Sequence, residues 1–405
     1  MRRPLILLAI LVATAALLAA CSQTGTNPPP ATKLNLTTFQ KASVVVGQAN
    51  FTSTSNTTNA ATFDKPYGDP AVVNGVFYAP DYNNARVMGY DNGIPSTNGA
   101  AADFVLGQPN FTSANLVAAP NGMSGPQTVT EGNGRLFNVD YDYNRVLIWN
   151  TPPTTTHASA DVVVGQPDFT TTIANCTAAG LYSPESIFTT DSKLIVADAS
   201  NNRVLIFDSL PTSNGATADL VLGQSGFTTC AANDDNQDGS GDGAPTARTL
   251  DNPSDVWTDG TKLIVADFGN NRVLVWNSFP TSNFAPADVV IGQNGMTTDA
   301  AGTSATRFDA PYFLTSNGEQ LFVTDWNNNR VLVFDTIPGS NGVAASTVLG
   351  QSDFTHATCN DDNQDGSDDG QPSARTLCSP AGLMATANAL VVVDNDNNRM
   401  LAFEP

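Results

Sequence analysis

The chain has 405 residues, 41% of them hydrophobic, with 17 basic and 38 acidic side chains and a net charge of −21. Removing a leader that holds two of the arginines takes the charge near −23, which repels phosphate backbones and argues against nucleic-acid binding. Glu occurs only as Glu131, Glu185, Glu319 and Glu404, so most of the acid is Asp, as strand-and-turn chains with little helix use it.

From the N-terminus, Arg2 and Arg3 precede an unbroken apolar run that ends Leu18-Ala-Ala-Cys21. The run is too short for a spanning helix and reads as an export signal over residues 1–20. Its ending resembles a bacterial lipobox. That resemblance implies cleavage before Cys21, lipidation of its sulfur and a place in the cell envelope, with Ser22 favouring the outer membrane. Attachment to the membrane is then through the lipid anchor only, and two or three acyl chains hold stably where one is marginal. Residues 21–42 are rich in Thr, Asn and Pro and are expected to form a flexible tether spanning up to ~65 Å.

From Ser43 the sequence repeats. Val-Val-Val-Gly47-Gln48 returns at Gly107-Gln108, Gly165-Gln166, Gly223-Gln224, Gly292-Gln293 and Gly350-Gln351, 58 to 69 residues apart. A second phrase, Asp-x-x-x-x-Arg followed by an apolar run, places Asp81 before Arg86, Asp140 before Arg145 and Asp198 before Arg203. It recurs with Asp267 before Arg272, Asp325 before Arg330 and Asp394 before Arg399. Each unit holds four short runs rich in Val, Ile and aromatics, bounded by Asn, Gly, Pro and Ser, which is strand patterning. Six such units predict an all-β, six-bladed β-propeller of four-stranded blades over residues 43–405. The Gly-Gln strand near Ser43 arrives before any complete unit, and the last unit lacks its own. The N-terminal strand is therefore expected to complete the last blade and remove a raw edge.

The Asp-x-x-Asn-Asn-Arg-Val phrase resembles the core of the NHL-repeat family. The likeness covers Ser43 to Pro405 and implies a propeller, in a family that includes protein, RNA and peptide binders and some enzymes. The Gly-Gln-x-x-Phe phrase departs from the usual NHL unit. A group repeated once per blade is expected to hold the blade, with each guanidinium gripping its Asp across a hairpin. The Asn residues before each Arg suit turns of positive φ.

Two inserts, 230–250 and 359–378, account for the longer intervals between arginines. They carry Asp234, Asn236, Asp238, Ser240 and Asp242, and Asp361, Asn363, Asp365, Ser367 and Asp369, with Gly239 and Gly366 at the sixth position. Alternating oxygen ligands around that glycine suit Ca²⁺. The segments resemble the calcium loops of dockerins and thrombospondin type 3 repeats, though Pro245 and Pro372 stand where an EF-hand has its bidentate Glu. Another acidic group, such as Asp251 for the first loop, or water is expected to complete the coordination. Cys359 and Cys378 can staple the second insert, a closure worth ~3 kcal/mol in the chain-entropy model, and Cys176 and Cys230 can bridge adjacent blades.

The position after each motif Asp varies (Tyr82, Tyr141, Ala199, Phe268, Trp326, Asn395), as does the first-strand position after a recurring Pro (Tyr67, Gln127, Glu185, Ser254, Tyr312, Ala381). These lie towards the loop face and the channel mouth. Tyr82, Tyr141, Phe268, Trp326, Tyr67, Gln127, Glu185 and Tyr312 are the expected ligand contacts. Only His157 and His356 occur, in different blades and expected on opposite faces, so neither a His-based metal centre nor a Ser-His-Asp set is supported. The expectation is a monomeric, calcium-stabilised module at the cell surface that binds a protein or glycan. The alternative is a calcium-dependent lactonase-like or esterase-like hydrolase using Glu185 and Asp255 in the channel.

Overall fold

The computed structural model describes residues 33–405, and Cys21 and the leader lie outside the described residues. Among the described residues, six antiparallel four-stranded sheets form the β structure, and no helix is longer than a single 3-10 turn. Among the described residues no helix is long and apolar enough to cross a membrane. Blade 3 is typical: Pro184–Thr189, Leu194–Asp198, Arg203–Phe207 and Leu220–Leu222 pair in sequence order. The second and third strands are buried on both faces, so they read as apolar runs and not as alternations.

Closure follows the expected route. Val44–Val46 pairs antiparallel with Arg399–Phe403, so the fourth strand of blade 6 comes from the start of the propeller. Six apolar clusters each join two neighbouring blades, including blade 6 to blade 1, where Val46, Phe77, Met88 and Met400 meet. Six blades joined by six such interfaces make a closed ring.

One segment departs from expectation. The stretch from Lys33 to Ala42, assigned to the flexible tether, lies along blades 5 and 6. Leu34 and Leu36 are buried in the apolar cluster between those blades. Gln320 accepts from the Leu34 N–H at 2.7 Å and donates to its carbonyl at 3.1 Å. The Phe39 and Ala42 N–H groups reach Val348 O and Ala374 O at 3.0 and 2.8 Å. Two leucines, contributing roughly 2 kcal/mol each on burial, outweigh the polar composition around them.

The six Asp–Arg pairs hold the blades. In blade 5, Arg330 Nε donates to Asp325 Oδ2 at 2.7 Å, with both side chains fully buried. Arg330 Nη1 donates to Phe354 O at 2.6 Å, and Nη2 to Ser304 O and Arg307 O at 2.9 and 3.2 Å. Asp325 also accepts from the Asp309 N–H and the Asn328 amide, at 2.7 and 2.9 Å. Burial lifts this carboxyl to about 6, with the Arg330 charge and these donors acting the other way.

Phe354 is the Phe of a Gly-Gln-x-x-Phe phrase, and this explains the phrase. Its carbonyl receives the guanidinium, while the Gln amide pins the loop, as Gln351 Nε2 does by donating to Asn329 O and Thr358 O at 3.1 and 2.9 Å. In blade 6 the corresponding acceptor of Arg399 is Phe51 O, from the N-terminal strand's own loop.

Candidate functional site

The recurring proline sets up the channel. In blade 3, Pro184 pairs with Asp198 and Ser186 with Ala197, so Glu185 is the extra residue of a bulge. Bulges re-aim side chains, and here the residue after the proline turns into the channel mouth. Immediately after the motif Asp, a 3-10 turn such as Tyr141–Tyr143 or Trp326–Asn328 brings a second side chain over the same mouth. Its closing Asn takes φ near +50°, at Asn144, Asn202, Asn271, Asn329 and Asn398. Blade 1 puts Ala85 there instead, also at φ +50°.

The two positions meet. Tyr67, Tyr82, Gln127, Tyr141, Glu185 and Tyr312 all line one cavity of ≈ 260 Å³ at the mouth. The ring centroids of Tyr67 lie 5.7 Å from Tyr82 and 5.4 Å from Tyr312, and Tyr82 lies 6.3 Å from Tyr141. Phe268 and Trp326 stand behind, each 4.7 Å from the Tyr312 ring. All eight expected contact residues thus belong to one constellation. The aromatic rings are half-buried, apart from the more deeply buried Tyr312, so they build the wall of the mouth and do not project from a rim. At the cavity edge Lys65 pairs with Asp396 at 2.5 Å.

Glu185 is the chemical centre. It is 5% exposed, and Tyr312 donates its hydroxyl to Oε1 at 2.9 Å. Burial pushes its carboxyl up to about 7, with the Tyr312 hydroxyl and the nearby Gln127 amide opposing. Glu185 Oε2 and Gln127 Oε1 are enclosed without a hydrogen-bond partner. Burial and the Glu185 charge raise both Tyr67 and Tyr312, which stay neutral hydroxyls at ordinary pH.

Below the mouth lies a polar belt. The Asp69 N–H donates to Thr128 Oγ1 at 3.3 Å, Thr128 to Ser186 Oγ at 3.2 Å, and Ser186 to Asp255 Oδ1 at 2.5 Å. The Leu314 N–H caps Asp255 Oδ2 at 2.7 Å, and the Leu383 N–H caps Asp69 Oδ1 at 2.6 Å. Burial raises Asp255 to about 7, and burial with the Asp255 charge raises Asp69. Sequence reasoning found Asp255 and missed Asp69. Blade 1 has an additional residue after its proline, Gly68, so Asp69 falls out of phase with the other five units. Gly68 takes φ +87°, and a Cβ there would meet Thr128 N at 2.4 Å. The extra residue next to a conformationally demanding glycine was the available signal.

The two acidic inserts adopt one hydrogen-bond skeleton. Asp234 accepts from the Asp238 and Gly239 N–H groups at 3.1 and 2.9 Å, and Asp361 from Asp365 and Gly366 at 3.1 and 2.8 Å. Asp242 accepts from the Asn236 amide and Asp369 from the Asn363 amide, both at 2.7 Å. Ser240 and Ser367 follow with their N–H groups on Asp238 and Asp365. In this arrangement the acids close onto their own loops, and among the described residues no three His, Cys, Asp or Glu side chains converge as a metal-holding group. Asp251 sits against Gly269 of the blade 4 turn. Disulfides join Cys176 to Cys230 and Cys359 to Cys378.

No protein-family model matches the chain, and a search of curated proteins finds no match. Among solved structures it is similar to virginiamycin B lyase from Staphylococcus aureus, at 12% identity and TM-score 0.42, over 87% of this chain and 97% of that one. A streptogramin B lyase overlaps at 13% identity and TM-score 0.42, over 87% and 95%. The computationally designed Ika8 protein overlaps at 8% identity and TM-score 0.42, over 90% and 100%. At these values the overlap carries no functional inference, and the ring stands on its own six sheets.

Proposed function

We propose that this chain is a binding module of the NHL type that takes a protein or glycan ligand at its channel mouth. In this reading Cys21 carries the lipid and holds a monomeric propeller at a bacterial cell envelope. The observation that carries the binding role is the convergence of six blade-variable residues on one aromatic-walled cavity, above a framework that repeats almost unchanged. Aromatic walls with a few directed polar atoms are the usual make-up of a recognition pocket. The test is calorimetry with defined envelope oligosaccharides and peptides against the wild type and Tyr67→Ala/Tyr312→Ala. Binding that survives the double substitution removes the mouth from consideration.

Calcium belongs to the same proposal as a brace for the two inserts. Asp234, Asn236, Asp238 and Asp242 would hold one ion, and Asp361, Asn363, Asp365 and Asp369 another, with the Ser240 and Ser367 carbonyls contributing. Its support is the matched skeleton of the two loops and the positive φ of Gly239 and Gly366. Chelator should lower the thermal midpoint of the wild type and leave an Asp238→Ala/Asp365→Ala variant unmoved. A wild-type midpoint indifferent to chelator sinks the brace.

The second reading is a hydrolase, with Ca²⁺ in the channel. It is favoured by Glu185 and Asp255, whose carboxyls titrate near neutrality as general acids and bases do. A lactone and ester panel decides it, since turnover must vanish in Glu185→Gln.

A further inference from the structure

The mouth narrows the ligand's chemistry, given the binding role proposed above. Glu185 Oε2 and Gln127 Oε1 are enclosed at 5% and 2% residue exposure, and neither has a hydrogen-bond partner. Buried oxygens left unpaired are costly, and both atoms are acceptors. What completes them is a group that donates. The walls around them are tyrosine rings, whose faces attract cations. Lys65, the cation of the lining, is held by Asp396 at 2.5 Å and so leaves the carboxylate unneutralised. The chain's net charge of −21 draws cations and turns anions away.

We propose that the mouth is a receptor for a primary ammonium group on a slender apolar stem. Its N–H bonds run to Glu185 Oε2 and Gln127 Oε1, and the stem lies against Tyr67, Tyr82 and Tyr312. A cavity of ≈ 260 Å³ admits such a group and not a folded surface. A quaternary ammonium has no N–H to give the two oxygens and is the weaker ligand, although the rings alone would accept it.

The groups facing Glu185 set the pH behaviour. The four tyrosines are all raised by burial first and remain neutral. The Lys65–Asp396 pair stands at the exposed edge, and Asp255 and Asp69, both raised first by burial, lie in the belt below. Because burial holds Glu185 at about 7, its ionised form, which binds ammonium, grows across neutrality. Affinity should rise about tenfold from pH 6 to pH 8.

The experiment is titration of the full chain by calorimetry and Trp fluorescence with n-butylammonium, tetramethylammonium and 1-butanol as probes. n-Butylammonium is expected to bind best, with the stated pH dependence, and to weaken at least about tenfold in Glu185→Gln, whose thermal midpoint at pH 8 should not fall below that of the wild type. Gln127→Leu serves as a second variant, expected to weaken it less, should the first fail to fold. N-acetyl-lysine amide and glucosamine then separate a peptide source of the amine from a sugar source. Equal binding of 1-butanol, or full binding by both variants, overturns the ammonium assignment. Binding of neutral oligosaccharides at the mouth without n-butylammonium overturns it while the binding role stands. If no probe, saccharide or peptide binds there, both fall.

Discussion

The Asp–Arg pairs of the blades and Glu185 at the channel mouth are all charges shut away from water, yet they are provided for differently. Each framework carboxylate has a guanidinium at 2.7 Å, and in blade 5 both oxygens also take N–H donors. Glu185 has a tyrosine hydroxyl on one oxygen, the Gln127 amide nearby, and no hydrogen bond on the other oxygen. The first arrangement is complete in itself and recurs six times; the second is incomplete and occurs once. Saturated charges hold a fold together, whereas an unsaturated one stores a preference for something not yet bound.

The sharpest way to break that contrast is to unsaturate a framework site. Arg272→Ala strands Asp267 and removes the donor from Met296, Thr246 and Thr249 carbonyls. The expected loss is about 4 kcal/mol in a urea melt; a loss below about 1 kcal/mol would show that the pairs are not what holds the blade.

Next in size is the pH response of the mouth. Glu185 stands at about 7 in the folded chain against an ordinary 4.5, so the folded state keeps its proton longer than the unfolded one. Its contribution to stability is full below the unfolded value and is lost as pH rises through about 7, by up to roughly 3 kcal/mol. Glu185→Gln should therefore lose less stability than the wild type between pH 5 and 7.5. Parallel curves for the two proteins would contradict the assignment. Asp255, raised to about 7, keeps part of the slope in both.

The smallest effect tests the framework where it is imperfect. In five blades the αL Asn also clips two loops together; Asn202 donates to Cys230 O at 2.9 Å and accepts from the Asn252 N–H at 2.8 Å. Ala85 holds the same φ without those bonds. Ala85→Asn should raise stability by about 1 kcal/mol by thermal melt. A neutral or negative result would show that blade 1 has adapted to alanine.

These contrasts were unevenly legible in the sequence. The propeller and its closure were open to view, because period and strand pattern repeat often enough to correct for any one unit. So were Tyr67, Gln127, Glu185 and Tyr312, since a proline marks their phase, and in the last three the bulge after it turns them inward. The role of Gly-Gln-x-x-Phe was not, because its Phe acts through a backbone carbonyl, whose partner no side-chain pattern reveals. Residues 33–42 misled by composition, as two leucines among threonines and asparagines look like a linker until their partners on blades 5 and 6 are known. The unpartnered oxygens of the mouth depend on three blades meeting at one point, a relation that lies between units and not within any of them.

The clasp formed by residues 33–42 and the closing strand has a mechanical consequence. Tension applied through the N-terminal segment falls first on Leu34 and Leu36, then on the Val44–Val46 pairing with Arg399–Phe403, before any other blade carries load. Pulling from that end would peel the clasp and then open the wheel at its seam, leaving five sheets with all their strands. Pulling across two other blades would have to shear intact hairpins.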